Sequence, residues 1–85
     1  MDLDNEVRNI LRDVLSLGRR ADRLEAASPL LGAIPELDSM AVVSLVAALE
    51  DRYGFAVNDD EISGATFATM GSLIDFVRSK LDRAP

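Results

Sequence analysis

The residues best suited to chemistry are an adjacent acid and alcohol, Asp38-Ser39, set directly before the apolar run Met40-Ala41-Val42-Val43. A carboxylate can accept the unpaired N–H groups of a helix's first turn, so Asp38 reads as an N-cap and Ser39 as the first helical residue. The serine hydroxyl then lies beside the positive end of the helix dipole, where an attached phosphate is favoured. Little else in the chain is reactive. It has no cysteine and no histidine, which excludes disulfides, zinc sites of the usual kind and Ser-His or Cys-His catalysis. No acid–base or nucleophile–base pair stands out, so the chain does not read as an enzyme. The acids Asp59, Asp60 and Glu61 lack the ligand spacing of a calcium loop and read as helix caps.

The helix that would position Ser39 runs from Ser39 to Tyr53, where Gly54 supplies a left-handed stop. Val42, Leu45, Val46, Leu49 and Tyr53 repeat as a core-facing stripe. Met40, Val43 and Ala47 fall on a second apolar face with Glu50 and Asp51 at its far end. An apolar strip bordered by acids and leading away from an exposed serine reads as a docking surface, with Glu36 just before it.

Around this element the chain reads as all-α. Leu3, Val7, Ile10, Leu11 and Val14 predict a first helix from Leu3 to Leu17, capped by Asp2 or Asp4 and stopped at Gly18. A long connection follows to Leu37, with Leu24, Leu30, Leu31, Ile34 and Leu37 expected to tuck onto the bundle. Arg19, Arg20 and Arg23 read as a solvated cluster within it. Asn58-Asp59-Asp60-Glu61 before Ile62 predicts a short capped helix. Phe67 belongs in the core, Thr69 caps a last helix, and Met70, Leu73, Ile74, Val77 and Leu81 form its stripe. Gly64 and Gly71 are expected to make that region the least stable, and Arg83-Ala84-Pro85 reads as a frayed end.

Eighty-five residues allow one domain, residues 1–85, and the 48% apolar, 5% aromatic composition suits a small bundle with an aliphatic core. The net charge is −6. It is uneven: residues 36–61 hold seven acids against Arg52, whereas residues 1–30 nearly balance, with six acids and five arginines. Such a field repels nucleic acid and steers basic protein surfaces. The start of the chain lacks a signal peptide's basic and apolar regions, and no run is long enough to span a membrane, which together point to the cytoplasm.

Leu37-Asp38-Ser39-Met40, the amphipathic run to Tyr53-Gly54-Phe55 and the acidic segment before Ile62 together resemble an acyl carrier protein. The resemblance extends from the first helix to Leu81. It implies a small four-helix bundle of three longer helices and one short one, with a long first loop. It further implies that Ser39 carries a covalent 4′-phosphopantetheine arm taken from coenzyme A, with Asp38 the motif acid beside it. Acyl groups would ride on the arm's thiol as thioesters, in lipid or fatty acid biosynthesis, and the carrier itself would be non-catalytic. Met40, Val43, Ala47, Glu50 and Asp51 match the family's partner-contact positions.

The implied partners are a phosphopantetheinyl transferase and acyl-loading ligases, acyltransferases or synthases, met by a monomer without nucleic acid or membrane insertion. Ala41 and Ser44 stand where fatty-acid-synthesis carriers are commonly acidic, and Pro35-Glu36-Leu37 replaces their usual Leu-Gly-x. Both departures suggest a dedicated carrier with its own partners. The Leu-Asp-Ser-Met form is also similar to D-alanyl carriers. The longer Pro-Glu-Leu-Asp-Ser-Met string is similar to carriers associated with exosortase and exopolysaccharide gene clusters. The competing class is an unmodified helical adaptor. Ser39→Ala separates the two: an adaptor would change by a few tenths of a kcal/mol in helix stability, whereas a carrier would keep its fold and lose its function.

Overall fold

A computed structural model describes residues 2–83; of the frayed end expected at Arg83-Ala84-Pro85, Arg83 is instead the last residue of a helix, and Ala84 and Pro85 lie outside the described residues. Three α-helices carry the architecture: α1 (Leu3–Leu15), α2 (Ser39–Tyr53) and α3 (Met70–Arg83). Two short 3₁₀ helices join them, Gly18–Arg23 in the long first connection and Asp59–Glu61 before Ile62. The expected short fourth helix is thus the turn formed by the acids themselves. Glu61 N–H bonds the Asn58 carbonyl at 2.9 Å, and Glu61 Oε1 accepts from Asn58 N–H at 3.0 Å.

The core is aliphatic, as the stripes required. Val7 and Leu11 of α1, Leu45 and Leu49 of α2, and Met70, Leu73 and Val77 of α3 are fully buried, with Phe67 filling the space among them. Each such side chain contributes roughly 1.5–3 kcal/mol through burial.

The first helix stops two residues earlier than its pattern suggested. Ser16 is the left-handed C-cap at φ 54°, ahead of Gly18, which is itself at φ 59°, and Leu17 N–H turns back to the Arg12 carbonyl at 3.1 Å. That turn lets Leu17 drop into the core at 5% exposure. Burying a leucine outweighs the roughly 1–2 kcal/mol that a left-handed non-glycine residue costs.

The long connection is far from structureless. Ala21, Leu24, Leu30 and Leu37 are buried along it, and Arg8 donates from Nη2 to the Leu24 carbonyl at 2.9 Å. Leu31 departs from expectation by staying 43% exposed. Between Ala26 and Leu31 the connection pairs with residues 67–71. Leu30 and Leu31 N–H groups donate to the Ala68 and Phe67 carbonyls at 2.9 and 3.0 Å. In return, Met70 and Gly71 N–H groups donate to the Ser28 and Ala26 carbonyls at 2.9 and 2.8 Å. The first turn of α3 therefore receives backbone acceptors from the loop, and Thr69 Oγ1 accepts from Ser72 N–H at 3.0 Å as the expected cap.

This pairing explains Gly71, which the sequence pattern marked as a weak point. A Cβ there would stand 2.9 Å from the Ala26 carbonyl oxygen, so the glycine permits a close backbone approach. Gly71→Ala should therefore destabilise the domain by about 1–3 kcal/mol, although alanine is the better helix former by about 1 kcal/mol. Urea unfolding measures this, and a more stable variant would show that the approach imposes no constraint.

Candidate functional site

Ser39 opens α2 and is exposed to solvent. Asp38 holds the helix start as expected: its Oδ1 accepts from Ala41 N–H at 2.8 Å, and its carbonyl accepts from Val42 N–H at 2.9 Å. Among the described residues, Ser39 and Met40 N–H groups take no acceptor, so the helix end beside the serine retains free donors. Leu37, 5% exposed, pins the approach to the core, and its N–H bonds the Ile34 carbonyl at 3.0 Å. The serine is consequently displayed from a backbone fixed on both sides.

A second fixture was hidden in the sequence. Arg20, expected to be a solvated loop arginine, pairs with Glu36, three residues before Ser39. The other Glu36 oxygen, Oε1, is shielded from solvent and accepts nothing among the described residues. An unsatisfied carboxylate oxygen is costly, which makes the guanidinium partner important. The Arg20 hydrogen bond, then the Glu36 backbone N–H and the guanidinium charge, hold the Glu36 carboxyl below the usual carboxylate range. The same contact raises Arg20.

Beside the serine is an open cavity of about 310 Å³, lined by Leu31, Ser39, Val42, Val43, Ile62, Ser63, Gly64 and Phe67. Its wall draws on the long loop, α2 and the segment before α3, which the backbone pairing at 67–71 holds together. Leu31's exposure is explained here, because its side chain forms part of the rim. The sequence placed Val42, by its stripe, and Phe67, by its apolar bulk, in the core but carried no sign that they would border a cavity.

The outward face of α2 keeps Met40 at 74% and Val43 at 61% exposure, with Ser44 and Ala47 also exposed. Its expected acidic border is largely engaged elsewhere. Glu36 meets Arg20, and Glu50, half-buried, accepts from Val57 N–H through Oε2 at 2.8 Å. Asp51 alone of the expected acids in α2 is exposed without a partner. At the far end of α2, Tyr53 donates to Glu6 Oε1 at 3.0 Å, and Arg52 approaches the same oxygen at 3.6 Å. Burial and then this hydrogen bond push the Tyr53 phenol up to about 12.

In this small helical bundle Ser39 stands at a helix start, beside a cavity lined mainly by apolar side chains. The family described as the phosphopantetheine attachment site matches residues 5–77. The solution NMR structure of a holo acyl carrier protein from Nitrosomonas europaea is 58% identical, with a TM-score of 0.89. The match covers 98% of this chain and 100% of that one. No curated protein sequence matches the chain significantly. The chain belongs to the phosphopantetheine-attachment family of acyl carrier proteins: it is a non-catalytic carrier whose cofactor is covalent 4′-phosphopantetheine.

The Arg20–Glu36 contact has a pH signature. A carboxylate depressed in the fold adds stability that is present above its unfolded value of about 4.3, and this is lost as pH falls through the folded value. Unfolding free energies followed from about pH 6 to about pH 2 should therefore fall more steeply for the wild type than for Glu36→Gln, the two curves converging in acid. Parallel curves would deny the contact a role in stability.

Proposed function

We propose that Ser39 is the residue that carries the phosphopantetheine arm. The observation that supports this most directly is its place: exposed, first in α2, next to two unbonded N–H groups and the positive end of the dipole. The residues present fit such a group. Free donors and the dipole suit its phosphate, while Leu31, Val42, Val43, Ile62 and Phe67 offer an apolar wall to what it bears. When bound, the arm supplies the terminal thiol on which an acyl group is held.

The chain's own residues then have separate tasks. Asp38 keeps the serine at the helix start, and Leu37 with the Arg20–Glu36 pair keeps that start in place. The cavity shields apolar cargo from water, at roughly 25 cal/mol per Å² of apolar surface covered. Leu31, Val42, Val43, Ile62 and Phe67 make most of the lining apolar and no charged side chain is among them, which suits an acyl cargo better than an aminoacyl one with its ammonium group. Tethering raises the cargo's effective concentration at an enzyme's active site, so the carrier needs no activated nucleophile.

Carriers of this family serve synthase, transferase and ligase enzymes generally. For this chain the partners are a phosphopantetheinyl transferase and an acyl-loading ligase or acyltransferase. It acts as a single domain, a monomer in the cytoplasm, and no helix among its described residues is long and apolar enough to cross a membrane. Neutral Ala41 and Ser44, at positions that are commonly acidic in fatty-acid-synthesis carriers, support a dedicated partner set.

Intact mass after incubation with coenzyme A, magnesium and a broad-specificity phosphopantetheinyl transferase tests the assignment. The wild type should gain one phosphopantetheine, and a folded Ser39→Ala variant none. Gain by the variant would move the attachment elsewhere. No gain by the wild type, with a second carrier modified in parallel, would return Ser39 to the role of a helix residue alone.

A further inference from the structure

A phosphodiester on Ser39 would bring a negative charge to a stretch that is already acidic. Asp38 and Glu36 lie one and three residues before the serine, and both carboxylates are fixed in place, Asp38 on Ala41 N–H and Glu36 on Arg20. Three anions at that spacing repel unless a cation stands among them. Most cations of the fold are committed elsewhere or distant. Lys80 is bonded at 3.0 Å to both oxygens of Glu61, Arg12 pairs with Asp22, and Arg8 donates to the Leu24 carbonyl. Arg52 stands thirteen residues further along α2, or about 20 Å away.

Arg20 is the cation that the fold brings to this stretch. Its side chain is 55% exposed, and of its N–H donors only one, on Nη2, has an acceptor among the described residues. Chain length bounds its distance from the serine. Glu36 and Ser39 are three residues apart, and Asp38 N–H turns back to the Glu36 carbonyl at 3.1 Å, so their Cα atoms stand within about 10 Å. Leu37, buried between them, keeps that turn in place.

We infer that Arg20, held by Glu36, is the cation that meets the phosphodiester on Ser39, one N–H staying on Glu36 and another edge of the guanidinium taking a phosphate oxygen. The inference rests on Ser39 being the attachment residue. A planar guanidinium has separate donor edges and can serve two oxyanions at once. Glu36 is then the residue that positions Arg20, and Arg20 ties the long first connection to the arm. Arg19 and Arg23 share its 3₁₀ helix and are exposed, but no side-chain partner among the described residues holds them toward α2.

The experiment compares the full chain with and without its phosphopantetheine, variant by variant, so that effects common to both forms cancel. In urea at about 50 mM sodium chloride, modification should raise the folded-to-unfolded ratio at least about twofold more in the wild type than in Arg20→Gln. At about 300 mM the difference should shrink. Arg23→Gln removes the same charge from the same short helix and should respond as the wild type does. In nuclear magnetic resonance spectra of the wild type, the Arg20 Nε–H signal should shift on modification while those of Arg19 and Arg23 stay. Equal responses of wild type and Arg20→Gln, an equal loss in Arg23→Gln, or an Arg20 signal that does not move would each overturn the inference. Intact mass, read first, separates the two readings. A chain modified at another residue overturns both, whereas a chain modified at Ser39 with an unmoved Arg20 signal overturns this one alone.

Discussion

The backbone hydrogen bonds between the loop at Ala26–Leu31 and the chain at Phe67–Gly71 are the constraint on which the rest of this molecule depends. They hold a connection of more than twenty residues that has little regular structure of its own. They also satisfy N–H groups that the first turn of α3 would otherwise leave without acceptors. By fixing Leu31 against Phe67 they set the far wall of the cavity whose near wall is α2. Only glycine at position 71 allows the backbones to come so close.

From that pairing the chain runs directly to the serine. Leu37 enters the core, Asp38 caps α2, and Arg20 reaches from the 3₁₀ helix to neutralise Glu36. These contacts fix the direction in which Ser39 leaves the surface without placing any bulky group over it. On the proposed reading that Ser39 carries the arm, display from a rigid base rather than a recess suits a residue that other enzymes must reach.

The acids of the chain illustrate how composition and surface can part company. Counted along the sequence, they surround α2 and suggest a strongly negative docking face. Placed in the fold, Asp38 caps α2, Glu36 and Glu61 pair with cations and Glu50 bonds a loop N–H, and the outward face of α2 keeps Met40 and Val43 exposed with Asp51 at its end. Net charge still governs solubility and long-range repulsion of nucleic acid. Local recognition is decided by the few side chains that have no partner within the molecule.

Much of the fold was determined by the sequence alone, because helical periodicity and caps are local. The stripes of α1, α2 and α3, the Asp38 and Thr69 caps, the Gly54 stop and the display of Ser39 all follow from residues within a few positions of one another. Only the tertiary structure decided where α1 ends, since the burial of Leu17 brings the stop forward to Ser16, two residues ahead of the glycine. It also decided the pairing of Arg20 with Glu36, sixteen residues apart, the diversion of Glu50 to Val57, and the role of Gly71 against Ala26. These depend on contacts between segments distant in sequence, whose energies are comparable with local propensities but leave no periodic trace. The cavity beside Ser39 belongs to the same class: Leu31, Val42, Ile62 and Phe67 are unremarkable apolar residues until three separate segments meet.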